Sequence, residues 1–222
     1  MSKKRFISNF LAAITIAGFV MVVAGAQSFA QDSEDRDMDS FNRITLKGSF
    51  DVIVRVGAAQ RVELTGDADY FDDVETRVRR NTLIISWDRN GLGRRFHNDV
   101  GLEISVPSLI GFNIAGSGDV EIGDIDSEVF TINIAGSGDI FATGRCVELE
   151  INIAGSGEVE GEDLICEDVS IDISGSGDVE ITATASIKAD INGSGDITVY
   201  GSPSGIRLRQ RGSGDIEIVD ER

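Results

Sequence analysis

The chain has 222 residues, with 38 Asp and Glu against 20 Lys and Arg and a formal charge of −18. That balance repels nucleic acid and anionic membrane surfaces, excluding both as partners, and leaves solubility, cation binding and neutral partners open. With 26 glycines and two prolines, and Val and Ile filling the apolar positions, the composition favours strands joined by glycine turns.

Lys3, Lys4 and Arg5 precede an apolar run from Phe10 to Ala26, and Ser28-Phe29-Ala30 places small residues where a signal peptidase reads. Residues 1–30 are therefore expected to be a cleaved signal peptide; an uncleaved anchor is the other reading of such a run. No Cys lies in this stretch, so a lipid anchor is not expected. Loss of Lys3, Lys4 and Arg5 takes the formal charge from −18 to −21. Residues 31–40 are charged and nearly free of apolar side chains, which predicts a disordered leader. A single domain then spans 41–222.

From Phe41, alternation predicts strands through Ile44 and Leu46, through Val52, Val54 and Val56, and from Val62 and Leu64. Asp67 to Thr76 suggests a single helical turn before a strand. Val74, Thr76 and Val78, then Leu83, Ile85 and Trp87, predict two strands around Arg80-Asn81. Asp88 to Asp99 reads as a loop. Arg89, Arg94 and Arg95 form its local positive cluster and His97 is the one histidine; such a loop either contacts an anion or partner, or is solvated beside acidic neighbours.

The rest of the chain is governed by Gly-Ser-Gly-Asp at Gly116–Asp119. The motif returns at Gly136–Asp139, Gly155–Glu158, Gly175–Asp178, Gly193–Asp196 and Gly212–Asp215, in steps of 20, 19, 20, 18 and 19 residues. Aliphatic columns keep phase with it. Four residues before the first glycine stand Phe112, Ile132, Ile151, Ile171, Ala189 and Leu208. Two before stand Ile114, Ile134, Ile153, Ile173 and Ile191, and four after come Val120, Ile140, Val159, Val179, Ile197 and Ile216. A further column, six before, runs Ile110, Phe130, Leu149, Val169, Ile187 and Ile206.

All these columns share one parity, so they face one side of an extended chain. One turn of about 19 residues cannot bury that face alone, whereas turns stacked at ~4.8 Å build a continuous interior. The architecture this predicts is all-β, a parallel β-helix with about 19-residue turns. Doubly wound folds need longer, usually helical crossovers, and a propeller blade needs about twice the period. Gly48-Ser49-Phe50-Asp51-Val52 reads as a degenerate first copy, with Phe50 at the second glycine.

Cys146 and Cys166 each precede a motif glycine by nine residues, so stacking brings them to the same place in consecutive turns. Two readings stand: a disulfide between neighbouring turns, which export permits, or two stacked buried thiols.

Three outward columns carry the repeated polar chemistry. Asn113, Asn133 and Asn152, continued by Asp172 and Asp190, can hydrogen-bond along a ladder, as can the motif serines. The acidic column, Asp119, Asp139, Glu158, Asp178, Asp196 and Asp215, must offset repulsion of roughly 1 kcal/mol between neighbours in water. It does so either by accepting nearby backbone N–H groups or by holding a row of Ca²⁺ ions. The half-turn between motifs lacks the second set of ligands that a calcium roll uses, so no metal or cofactor is expected.

In the last turn Arg207, Arg209 and Arg211 take the outward parity, Arg209 falls below Asp190 where a salt bridge can form, and Gln210 ends the Ile column. These substitutions read as a polar cap against end-to-end stacking. No catalytic residues are assigned: the carboxylates follow the repeat instead of breaking it to form a cleft. Asp72-Asp73 reads as the start of a turn, and His97 has no recognisable partner.

At the Ile-Asn-Ile-Ala-Gly-Ser-Gly-Asp blocks, together with Gly48–Val52 and Leu83–Trp87, the chain resembles the bacterial family called putative autotransporter adhesin, head GIN domain (DUF2807), over about residues 41–219. The resemblance implies an exported, right-handed, single-stranded β-helix. It supplies no catalytic residues. With no room for a translocating barrel after Val219, the chain is not expected to be itself an autotransporter. The function expected is a structural or binding module of the cell envelope, adhesin-like and without enzymatic activity. It would reside in the periplasm, on the outer surface or in the medium. Its partner would be a glycan or an envelope protein, with no stable membrane insertion after cleavage and with oligomers allowed. The alternatives are a carbohydrate-active β-helix enzyme, lyase or hydrolase, and a Ca²⁺-stabilised extracellular scaffold.

Overall fold

A computed structural model describes residues 32–88 and 100–220. The signal peptide expected at 1–30 and the cluster of Arg89, Arg94, Arg95 and His97 lie outside the described residues. Seven short strands come first: β1 (Asp32–Asp35), β2 (Arg43–Gly48), β3 (Asp51–Val56), β4 (Arg61–Gly66), β5 (Val74–Arg79), β6 (Thr82–Trp87) and β7 (Val100–Val106). A 3-10 helix at Ala68–Asp73 separates β4 from β5. The repeats follow as β8 (Gly111–Gly116), β9 (Asp119–Gly136), β10 (Asp139–Gly155), β11 (Glu158–Gly175), β12 (Asp178–Gly193), β13 (Ile197–Tyr200), β14 (Gly205–Gly212) and β15 (Ile216–Val219). Together they form a parallel β-helix of about five turns with about 20 residues each.

Register follows the motif. Gly116, Gly136, Gly155, Gly175, Gly193 and Gly212 pair in succession through parallel ladders, as do Ile132, Ile151, Ile171, Ala189 and Leu208. Inward parity buries the aliphatic columns, and among the described residues no polar or charged residue is buried with them. The interior is held by apolar burial, which is non-directional, and by one buried disulfide; hydrogen bonding between turns and the glycines set the register.

The glycines are demanded by close stacking. Gly136 has φ +140°, and a Cβ there would overlap the carbonyl oxygen of Gly116; a Cβ at Gly138 would lie 2.9 Å from the oxygen of Gly118. Side chains fit neither place, so each motif seats on the backbone of the one before it. Phe50 is tolerated at the second glycine of the first copy because no motif lies on its other side. Its ring instead stacks on Trp87, centroids 4.5 Å apart and planes 16° from parallel.

The first turns depart from chain order. β2 pairs in parallel with β8 on one side and β6 on the other, and β3 likewise lies between β9 and β7. The segment between β3 and β8 therefore crosses to the outer side of the first turn and closes that end. It closes it with reversed strands: β4 pairs antiparallel with β7, and β5 antiparallel with β6. The β5–β6 hairpin turns at Arg80 (φ 51°) and Asn81 (φ 59°), the left-handed pair that a two-residue hairpin loop requires.

The disordered leader expected over 31–40 is corrected from Asp32 onward: Asp32–Asp35 form β1, antiparallel to β4. The N–H of Arg36 donates to the carbonyl of Val62 (2.8 Å) and its guanidinium to that of Phe71 (2.8 Å). The Gln60 amide donates to the carbonyl of Met38 (3.0 Å), whose side chain packs on the core. Low hydrophobicity misleads here because the open edge of β4 offers main-chain partners that are indifferent to side-chain polarity; Arg61, 2.8 Å from Asp35, offsets part of the acidic charge.

The other end is left open. β14 and β15 stack on β12 and β13, nothing described stacks on them, and all eight residues of β14 are exposed. The polar cap expected there is one of charge only. Arg207, Arg209 and Arg211 do carry the outward parity, but Ile206 and Leu208 remain 53% and 39% exposed. The Gln210 amide turns back to the carbonyl of Gly214. Among the described residues no helix is long and apolar enough to cross a membrane.

Candidate functional site

Because strand residues alternate, the segment leading into each motif presents its polar parity as a flat outer face. Along it the asparagines form one directed ladder. Asn113 Nδ2 donates to Thr45 Oγ1 (3.1 Å), Asn133 Nδ2 to Asn113 Oδ1 (2.7 Å) and Asn152 Nδ2 to Asn133 Oδ1 (3.0 Å). Asn113 also donates to the Ile44 carbonyl (3.3 Å) and Asn152 to Glu150 Oε1 (3.1 Å), so of these three half-buried amides Asn133 keeps a second N–H for another partner. Beside the amides run Ala115, Ala135 and Ala154, whose small side chains leave a shallow trough of about 420 Å³ over three turns.

Farther along, the same column becomes charged. Asp172 and Asp190 share Lys188, whose Nζ lies 3.7 and 3.9 Å from their carboxylates, and Arg209 Nη1 reaches Asp190 at 4.0 Å. A second depression of about 270 Å³ opens there, floored by Ser174 and Asn192 and edged by Asp172, Asp190, Arg209 and Arg211. The face thus runs from neutral amides through carboxylates to guanidiniums along the coil axis. The Arg209–Asp190 contact was legible from the column alone. The bridging Lys188 was missed, although its place two residues before Asp190, on the same parity, was a readable signal.

The motif column has a different chemistry. Asp139 Oδ1 accepts the N–H of Glu158 (3.0 Å), Asp178 Oδ1 that of Asp196 (2.8 Å), and Asp196 Oδ1 that of Asp215 (2.7 Å). Asp215 in turn accepts from Ile216 (2.9 Å). Each of these carboxylates therefore binds backbone N–H, three of them one turn along, which offsets the like-charge repulsion of the stack. Glu158 carries the cost of its place: partial burial first, then Glu160, Asp139, Asp178 and Glu180, hold its carboxyl above the usual range. The motif serines contribute main-chain bonds; the N–H of Ser156, for example, donates to Gly136 (2.9 Å).

Calcium needs six to eight oxygens converging on one point. Single-file carboxylates, with Asp119 at one end and Asp215 at the other, do not provide that, and among the described residues no group of three acidic, His or Cys side chains gathers to hold an ion. The column does not fit a calcium row.

At the opposite corner Cys146 and Cys166 face each other in register, are joined as a disulfide, and have Cα atoms 4.6 Å apart. Nearby, Arg145 meets both oxygens of Asp126 at 3.2 and 3.3 Å, which holds the Asp126 carboxyl below its ordinary range. Asp72 and Asp73 end the 3-10 helix, and the Asp73 carbonyl accepts the N–H of Asp88 (2.7 Å), so this pair belongs to a turn.

The family model described as "Putative auto-transporter adhesin, head GIN domain" (DUF2807) matches residues 40–203. The crystal structure of a protein described as a putative adhesin from Bacteroides fragilis is similar to this chain with a TM-score of 0.69 at 24% identity, covering 86% of this chain and 98% of that one. One described as a putative lipid binding protein from Parabacteroides distasonis gives 0.55 at 22%, covering 86% and 98%. One described as a putative adhesin from Parabacteroides merdae gives 0.53 at 16%, covering 86% and 97%. At these identities the likeness is one of fold. No curated protein shows significant similarity to the chain.

Proposed function

The chain belongs to the DUF2807 head GIN-domain family, and from that premise we propose that it is an exported, non-catalytic, adhesin-like binding module of the cell envelope, presenting the Asn113–Asn133–Asn152 face to a glycan. The observation that carries this reading is the directed amide ladder beside a row of alanines. It leaves an N–H of Asn133 free at mid-ladder, above a trough without bulky side chains, while Asn113 and Asn152 spend both of theirs within the fold. A hydroxyl-rich polymer lying along the trough meets the Asn133 donor at mid-length, with the row of alanines giving it room on either side. The carboxylates follow the repeat and bind backbone N–H groups, which supports binding over turnover.

Incubation of the full chain with neutral and acidic polysaccharides tests the reading. Binding without product is expected, weakened about tenfold by Asn133→Ala, which removes a mid-ladder amide worth on the order of 1 kcal/mol per hydrogen bond. Release of shortened or unsaturated sugars would overturn it in favour of a lyase or hydrolase. Fractionation of producing cells is expected to recover the chain outside the cytoplasm, cleaved after Ala30; an uncleaved cytoplasmic chain would refute export.

A further inference from the structure

We propose that the open edge of β14 is a docking strand for an extended segment of a different protein, one with apolar side chains on one parity and acidic side chains on the other. This edge lies at the charged end of the coil, beyond the amides of Asn113, Asn133 and Asn152, and loss of either reading leaves the other standing.

The inward columns mark the vacancy. In β12, Ile187, Ala189 and Ile191 are 1%, 0% and 2% exposed because β14 covers them; in β14 the same columns hold Ile206 and Leu208 at 53% and 39%. The far end of the coil is not left so, since β4, β5 and β1 close it. An added strand would continue the ladder of main-chain bonds and bury Ile206 and Leu208, the two ingredients of strand addition.

Charge selects the occupant. The outward parity of this strand is Arg207, Arg209 and Arg211, three cations together in a chain of formal charge −18. A second copy is a poor partner in both orientations. An antiparallel two-fold pairing of β14 centred on Arg209 sets Arg209 against its equivalent and Arg207 against Arg211. Head-to-tail stacking sets β14 against β5, where Arg77 and Arg79 outnumber Glu75 among the exposed residues. Like charges directly across a strand pair destabilise it, whereas Asp or Glu in those places pairs with all three arginines. The arginines therefore guard the edge against the chain's own copies and steer an acidic strand onto it.

The test uses the full chain and labelled octapeptides that alternate Ile with Glu, Ile with Lys, or carry the Ile–Glu composition in scrambled order. Fluorescence anisotropy should show saturable binding of the Ile–Glu peptide, at least tenfold weaker binding of the other two, and amide exchange slowed at Gly205–Gly212. Two exposed-site variants probe the two ingredients: R207E/R209E/R211E should lose the Ile–Glu peptide and gain the Ile–Lys one, and Leu208→Lys should weaken both peptides while circular dichroism stays unchanged. No binding, equal binding of the acidic and basic peptides, or protection appearing on the Asn face would overturn the proposal. So would self-association in sedimentation that Leu208→Lys abolishes, because it would make a second copy the occupant.

Discussion

Replacing Gly155 by Ala in the middle of the coil tests whether stacking, and not turn geometry alone, dictates the motif. Gly155 has φ +142°, and an added Cβ would overlap the carbonyl oxygen of Gly136 and lie 2.9 and 3.1 Å from its carbonyl carbon and nitrogen. The backbone conformation costs an L residue about 1–3 kcal/mol. Overpacking against an immovable backbone adds about 1–3 kcal/mol. Parting the turns weakens the 2.9 Å bond from Ser156 N–H to Gly136, a further loss of about 1 kcal/mol. The expected total, on the order of 3–7 kcal/mol, is a large share of the 5–15 kcal/mol that stabilises a typical domain.

Three companion variants separate the terms. Gly57 has φ +90° with nothing within 4 Å of its Cβ, so Gly57→Ala should show the conformational term alone. Gly157→Ala meets Ile134 Cγ2 at 2.7 Å and the Gly138 carbonyl without positive φ, and should show the packing term. Gly123→Ala meets only Val54 O at 3.9 Å and should be neutral or stabilising by about 0.4–1 kcal/mol through the unfolded chain. Urea unfolding, followed by circular dichroism and by Trp87 fluorescence, gives the four values and checks that both probes report one transition. If Gly155→Ala costs no more than Gly57→Ala, the left-handed backbone explains the glycine and the stacking argument fails.

Removing the cross-link with paired Cys146→Ala and Cys166→Ala should cost about 3 kcal/mol by the chain-entropy estimate for a loop of this size. Thiol titration of the unreduced, denatured chain should find none free, and an unchanged urea midpoint would refute the stabilising role. For Glu158, the folded carboxyl titrates above its unfolded value, so the folded state is penalised once pH rises through the folded pKa and relieved as pH falls below the unfolded one. Glu158→Gln should therefore raise the unfolding temperature at pH 7, by a fraction of a kcal/mol given its partial exposure, and make no difference near pH 3; a destabilised variant at pH 7 would refute the assignment.

What the sequence disclosed was what repeats. Phase between Gly-Ser-Gly-Asp and the Ile columns sets parity, and parity with period sets register, so the pairing of Cys146 with Cys166 and of Asp190 with Arg209 could be placed before any coordinates. The Gly48–Val52 copy was readable too, and Gly48 does pair with Gly116. The order of the first turns was not. Gly48–Val52 lies between β6–β7 and β8–β9 because β6 and β7 take the outer side, a choice made by long-range pairing between segments that carry no motif. The ordering of Asp32–Asp35 was hidden for a related reason: it rests on the free edge of β4, which local composition does not report. On the candidate face, the amide ladder followed from the column, while Ile206 and Leu208 are exposed because no described strand pairs with the outer side of β14.

The placing of the irregularities bears on function as much as the regular part does. A catalytic site on a repeating coil has to interrupt the repeat, because acid, base and substrate contacts need different side chains at one point. Among the described residues, departures from the motif and its columns lie at the ends: Phe50 and Trp87 where the reversed strands close the coil, and Arg207 to Arg211 with Gln210 at the last turn. Between them the outer face changes only in steps from turn to turn, from amide to carboxylate. Such a surface offers an elongated partner nearly equivalent contacts at several registers. A cluster of charges of both signs, Lys188, Asp190 and Arg209, borders the open edge. Any strand docked on β14 therefore reaches Asp190 through Arg209, so occupancy of the edge should alter the charged end of this face before it alters the amides of Asn113 and Asn133.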